Sequence, residues 1–285
     1  MMNSSKLASI VLLLIFNWTF FCAGIFLNSV VIISIRRSSQ LRKKLCYFMI
    51  CLLSCADFAV VVIIHPSIAW IAYYYGEKYK TNEIIFRSVF FVVLGISVLM
   101  VLTLNIERFL AVKFPFFHQT QVTKKSLIAF AACLVCFFVL LQSLVWLNII
   151  QSTLYITLPL FSVILVYLNF EMYKIARSKE RNMARMNSMD NSTRNYQKTS
   201  VPTFLIVILL MFFMLPRAVT SAYISYSSNI TFHKILKVHL ELWSNTIMAM
   251  SSSFNCLVFF WKISILRREG LKIVGKLNFC KTLEE

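Results

Sequence analysis

The sequence predicts an all-α membrane protein: a single domain, residues 1–285, built as a bundle of seven transmembrane helices and closed by a short cytoplasmic amphipathic helix. Three observations carry that prediction. The composition is 59% hydrophobic with only 5 Gly and 5 Pro, and the mean hydropathy is +0.75, outside the range of ordinary soluble domains. Apolar runs long enough to cross a hydrocarbon core of about 30 Å recur along the chain, over about 7–35, 45–75, 84–112, 127–150, 154–175, 201–226 and 235–261. The bases cluster on alternate connections between those runs.

The first run follows Lys6 and continues past Asn17 to Ile35, too long for the core of a signal peptide, so it is taken as the first span. After it come Arg36, Arg37, Arg42, Lys43 and Lys44. Lys113, Lys124 and Lys125 follow the third run, a string of bases from Lys174 to Lys198 follows the fifth, and Lys262, Arg267, Arg268, Lys272, Lys276 and Lys281 follow the seventh. The other side carries only Lys6, Lys78, Lys80, Lys234 and Lys237. The positive-inside rule then places the amino terminus outside and the carboxyl terminus in the cytoplasm, as in a multi-pass plasma-membrane protein. The net charge of +18 follows from this bias, and nucleic acid is excluded as a partner because no soluble basic domain is present.

The connections are short apart from Ser178–Lys198, a polar stretch expected to fray from the helices beside it and to serve as a cytoplasmic docking surface. Only Gln151-Ser152-Thr153 joins the fourth and fifth runs, leaving the outer mouth open. Beyond the seventh, Ile265, Leu266 and Leu271 among bases mark an interfacial amphipathic helix, and Cys280 is either palmitoylated or free. Asn3-Ser4-Ser5 and Asn229-Ile230-Thr231 are glycosylation triplets on the outer side, whereas Asn191-Ser192-Thr193 is cytoplasmic. All eight cysteines fall in spans or on the inner side, so no extracellular disulfide is expected. Cys51-x3-Cys55 and Cys133-x2-Cys136 lack the His and acid companions of a metal site and are assigned to apolar contact.

Polar residues within the runs mark candidate sites. Glu107 and Arg108 stand where the third run ends, ahead of Lys113-Phe114-Pro115, and charges at a membrane boundary are expensive enough to imply function. Asp57 lies in mid-span, with Asn28, Ser97, Ser251, Ser252 and Asn255 as proposed partners. Such a carboxylate is a sodium or proton site, or a protonated acid satisfied by hydrogen bonds. Ser97 precedes Arg108 by eleven residues, about three turns, so both share one helix face. Pro66, Pro159 and Pro216 interrupt the second, fifth and sixth spans and are expected to bend them.

Together these residues resemble the rhodopsin-like (class A) family of G-protein-coupled receptors, from Asn28 to about Lys272. The family's acid-Arg-aromatic triplet and its following proline resemble Glu107-Arg108-Phe109 and Pro115. Its first-span Asn resembles Asn28, its Leu-x-x-x-Asp resembles Leu53 to Asp57, and its fifth-span Pro and Tyr resemble Pro159 and Tyr167. The sixth-span proline resembles Pro216, and Asn-Pro-x-x-Tyr corresponds to Asn255 through Phe259. The resemblance implies a receptor for an extracellular ligand in which Glu107 holds Arg108 at rest. When the sixth helix swings outward, Arg108 contacts Tyr167 and a heterotrimeric G protein. Departures fall on the switches: Met214 stands in place of a tryptophan, Cys256 in place of a proline, and Phe259 lacks a tyrosine hydroxyl. Glu83 stands at about the position of the family's third-span cysteine. That absence and the short outer loop resemble the melanocortin and lysophospholipid branches, whose ligands are peptides and lipids.

A retinal Schiff base is disfavoured, since no lysine lies between Val238 and Trp261, and a monoamine lacks its counter-ion because Phe90 stands where the family's aspartate would. Arg217, after Pro216, either binds a ligand carboxylate or phosphate, with Arg87 and His65 nearby, or snorkels or pairs with Glu241. Competing readings are a non-signalling binding or scaffold receptor and a transporter, the latter disfavoured by the lack of internal repeats. No set of residues converges as an enzyme site would require.

Overall fold

A chain that buries its backbone in hydrocarbon has to satisfy every N–H and C=O within its own segment, and the apolar runs of this chain do so as α-helices. The structure, a computed structural model, describes residues 4–73, 79–146, 161, 163–175, 177–178, 191–226 and 233–281. Among these the elements are α1 (Ser4–Arg37), α2 (Ser39–Lys43), α3 (Leu45–Tyr73), α4 (Tyr79–Lys113), α5 (Pro115–Gln121), α6 (Lys124–Trp146), a helical run α7 over 163–175, α8 (Asn191–Tyr226), α9 (His233–Lys262) and α10 (Ser264–Lys281). No strand occurs among the described residues.

Five helices, α1, α3, α4, α6 and α8, are each long and apolar enough to cross a membrane, and α9 reaches that standard only together with α10. Lys237, His239 and Glu241 dilute the first part of α9. The expected seven spans are therefore five or six among the described residues, because the fifth run is described only in part. The outer surface of the bundle is apolar: Trp70, Phe137 and Phe212 are each more than half exposed. In a multi-pass membrane protein that surface faces lipid rather than water.

The helix ends follow local chemistry. Pro115 opens α5 at a position where its missing N–H costs nothing. Thr123 caps α6 reciprocally: its N–H donates to Ser126 Oγ at 2.9 Å while the Ser126 N–H donates to Thr123 Oγ1 at 3.2 Å. At Ile263 the chain turns by 107° from α9 into α10. Buried Ile263 and Leu266 pin this corner, and Gly270 lets α10 press against the Phe260 ring, where a Cβ would stand 2.7 Å from a ring carbon. Leu271, expected on the apolar face of this helix, is exposed. Lys272 lies 2.8 Å from Glu269 and holds its carboxyl below the usual range.

One expectation changes. The stretch 191–198 was expected to fray, yet it forms the first turns of α8, a length of helix that its polar composition concealed. The helices run on through Pro66 and Pro216, as membrane helices can when neighbouring groups take up a single missing hydrogen bond. Pro159, the 151–153 connection and the first two glycosylation triplets' asparagines lie outside the described residues, as does the side chain of Cys280.

Two apolar clusters fill the bundle. The larger gathers Leu53, Leu99, Leu104, Leu165, Ile206 and Phe259, and the smaller gathers Ile64, Ile68, Phe90, Leu94, Met248 and Ala249. Met214 is packed against both. Gly95 of α4 admits the edge of the Phe138 ring from α6, a space that any Cβ would occupy.

Candidate functional site

α4 carries three polar or aromatic stations on one face, each completed by other helices. At its beginning Phe86, Phe90 and Phe91 line a narrow cleft with Arg217 of α8 and Glu241, Leu242 and Asn245 of α9. The enclosed space there is about 10 Å³, room for about one water molecule. Phe90 is fully buried and meets Phe91 edge to face, with centroids 5.4 Å apart. The guanidinium of Arg217 lies 5.6 Å from the Phe91 centroid, a distance at which the ring face attracts a cation. Arg217 and Glu241 are 9% and 5% exposed, so the cleft sets one base and one acid in a largely desolvated wall. Phe90, Arg217 and Glu241 are thus brought together, while the side chain of Arg87 lies outside the described residues.

His65 is placed elsewhere. It is fully buried between α1, α3 and α9, its Nδ1 2.9 Å from Asn17 Oδ1. An amide oxygen only accepts, so Nδ1 carries the proton. The Asn17 amide nitrogen donates to Leu13 O at 2.8 Å and to Thr246 Oγ1 at 3.0 Å. This polar layer joins three helices and does not line the cleft.

In the middle of α4, Ser97 Oγ donates to Asp57 Oδ1 at 2.5 Å, and Asn255 Nδ2 donates to Asp57 Oδ2 at 2.9 Å. Asp57 is wholly buried, so each bond offsets part of the cost of removing a carboxyl from water. Of the two serines expected beside it, Ser252 adjoins the carboxyl, whereas Ser251 donates to Met248 O of its own helix at 2.7 Å. Carboxylate, hydroxyl and amide oxygens are the donor types that a hard cation prefers, so Asp57, Ser97 and Asn255 suit a sodium ion in kind. The next residue of α9, Cys256, donates through Sγ to Asn28 Oδ1 at 2.9 Å, filling with a side-chain bond the position that the resemblance gives to proline.

At the end of α4 an ion pair is buried. Arg108 Nε stands 3.0 Å from Glu107 Oε2, and the other oxygen, Oε1, is 3.0 Å from His118 Nε2. Glu107 and Arg108 are 1% and 5% exposed. His118 lies on α5, which the motif-based reading missed entirely. Only its position, eleven residues after Glu107 beyond a helix-starting proline, could have signalled that the chain folds back. Phe109 is half-buried against the larger cluster, with Lys113 Nζ 5.1 Å from its ring centre. Tyr167 on α7 is 58% exposed and turned out of the bundle. A second polar tie was also missed: Asn169 Nδ2 donates to Asn105 Oδ1 at 2.9 Å and fastens α7 to α4. Pro216 is half-buried one residue before Arg217, and Phe259 lies fully inside the larger cluster.

Among the described residues no group of three or more His, Cys, Asp or Glu side chains is positioned to hold a metal ion. No curated protein matches the chain. Residues 27–153, which run from the end of α1 through α6, match the family model of the 7 transmembrane receptor (rhodopsin family).

Proposed function

We propose that the chain is a plasma-membrane G-protein-coupled receptor, amino terminus outside, in which occupation of the cleft shifts the bundle from a resting to an active arrangement. The observation that carries this reading is the buried Glu107–Arg108 pair at one end of α4, with the cleft at the other. Phe91 and Arg108 are seventeen residues apart, roughly 25 Å along the helix. At rest Glu107 holds Arg108, and His118 holds Glu107. Activation separates the pair and frees Arg108 for a heterotrimeric G protein, a population shift between two arrangements. Arg217 supports a ligand with an anionic group. The missing outer cysteines and the short outer loop favour peptide or lipid classes, as in the melanocortin and lysophospholipid branches. A sodium ion held by Asp57, Ser97 and Asn255 would supply a positive charge that stabilises the resting bundle.

The test is nucleotide exchange on a G protein by surface-expressed receptor. Arg108→Ala abolishes it under this proposal, and unchanged exchange rejects the mechanism. The second reading, a binding or scaffold receptor without coupling, is favoured by one observation: Tyr167 faces away from the bundle while Phe259, buried opposite, has no hydroxyl to join it. Silence towards every G-protein class at confirmed surface expression selects that alternative.

A further inference from the structure

We infer that the rim where α2, α3 and α6 meet, on the cytoplasmic side in the orientation proposed above, holds the headgroup of a polyphosphorylated inositol lipid. Five bases gather there: Arg42 and Lys43 of α2, Lys44 in the turn that follows, and Lys124 and Lys125, which open α6. A direct contact brings the two groups together. Lys124 Nζ donates to the Arg42 carbonyl oxygen at 2.8 Å and lies 5.4 Å from the Phe48 ring centre. An ammonium that gives one donor to a carbonyl keeps two for a ligand. Arg42, Lys43, Lys44 and Lys125 are exposed.

The bias of bases towards one membrane face does not by itself produce this arrangement. On α10 Lys272 is paired with Glu269 at 2.8 Å, and on α7 Lys174 with Glu171 at 3.0 Å. None of the five bases at the rim meets a carboxylate among the described residues. Helix ends deepen the imbalance. α3 and α6 both begin here with no acid in the first turn, and the amino end of a helix carries a partial positive charge of its own. The bases therefore add to a field that only an anion relieves. Groups of about four to eight bases next to a membrane helix suit anionic lipids, and basic hollows between helices suit inositol headgroups. The surface beyond the bases favours a lipid over a free phosphate. Ile128, four residues after Lys124 and so on the same face of α6, is apolar and exposed, as is Phe130. Acyl chains have a surface to follow where the headgroup ends.

The experiment places the full chain in phosphatidylcholine nanodiscs and titrates in phosphatidylinositol bisphosphate, reading the half-saturating lipid fraction from the melting temperature. Phosphatidylserine discs of matched surface charge and soluble inositol trisphosphate added to plain discs are the comparison arms. The bisphosphate lipid is expected to raise the melting temperature more than either. A base near the membrane surface contributes about fivefold to such binding. Lys124→Gln therefore raises the half-saturating fraction about fivefold, and the double variant Lys43→Gln with Lys44→Gln raises it at least about tenfold. Lys272→Gln, on α10, leaves it unchanged. The melting temperature in plain discs checks the fold of each variant, and the double variant stands in if Lys124→Gln, which also loses the tie to Arg42, does not fold. The inference is overturned if matched phosphatidylserine stabilises equally, if soluble inositol trisphosphate does so without the lipid, or if the rim variants respond as the wild type does. Both leaflets of a disc offer the lipid, so the result does not depend on the proposed orientation or on coupling to a G protein.

Discussion

Glu107→Gln keeps the size of the side chain and removes its charge, which isolates what the carboxylate does for the resting bundle. In the structure Glu107 faces Arg108 through one oxygen and His118 through the other, each at 3.0 Å. The amide keeps one acceptor oxygen and turns an NH₂ towards the second partner. One charge-assisted contact becomes neutral and the other becomes a donor facing a nitrogen. Hydrogen bonds to charged groups contribute about 1.5–3 kcal/mol and neutral ones about 1 kcal/mol, so the resting arrangement loses about 2 kcal/mol. The active arrangement, in which the pair is already apart, loses none of this. At 1.4 kcal/mol per tenfold, the population ratio moves about 25-fold towards the active form. The assay is ligand-free nucleotide exchange on membranes, normalised to surface expression. A rise of roughly an order of magnitude is expected, and His118→Phe, which removes one contact only, gives a smaller one. Basal exchange that stays at the wild-type level in a stably expressed Glu107→Gln receptor refutes the idea that this carboxylate restrains Arg108.

Gly95→Ala places a methyl group where the Phe138 ring now lies; overpacking of this kind costs about 1–3 kcal/mol. The melting temperature falls, and Phe138→Leu in the same chain restores part of the loss. Replacing sodium by choline in the buffer lowers the melting temperature of the wild-type protein but not of Asp57→Asn; a wild-type protein indifferent to the exchange removes sodium from the Asp57 cluster. Cys256→Pro deletes a backbone donor inside α9, towards its end, and the contact with Asn28, for a loss of about 3 kcal/mol, read as a lower melting temperature. An unchanged value there contradicts a continuous α9.

Where one residue type has a single physical use, the sequence was readable. Apolar runs in lipid have only the helix open to them, and the ends of α1, α3 and α4 fall within about five residues of where hydropathy alone placed them. Paired charges and the mid-span Asp57 also stood out, because each is costly unless it is matched. Residues with many uses were not readable. His118 carries no signal in the sequence, since nothing in its neighbours shows that α5 turns it back onto Glu107. His65 shared the polarity expected of a ligand-facing group, but its partner is Asn17, a residue forty-eight positions earlier that lies in an otherwise apolar run.

The way the cleft and the ion pair can influence each other is constrained by their sharing α4. A continuous helix cannot lengthen between Phe90 and Arg108, so the change that couples them has to be a movement of α4 against its neighbours. α8 is the neighbour placed to report it, because Arg217 belongs to the cleft while Ile206, Val207 and Leu210 of the same helix lie in the larger cluster with Leu102 and Leu104 of α4. Met214, between them, packs against both clusters. Methionine has three rotatable bonds and adapts to shifted surroundings, whereas an aromatic ring in that place would hold its neighbours in one of two arrangements. A ligand that draws Arg217 inward therefore has its displacement partly absorbed at Met214 before it reaches the Glu107–Arg108 pair. Replacing Met214 by a rigid side chain of similar volume, Met214→Leu, leaves stability within about 1.5 kcal/mol and strengthens the response of nucleotide exchange to an occupied cleft. An unaltered response, at unaltered ligand binding, shows that the movement bypasses this joint.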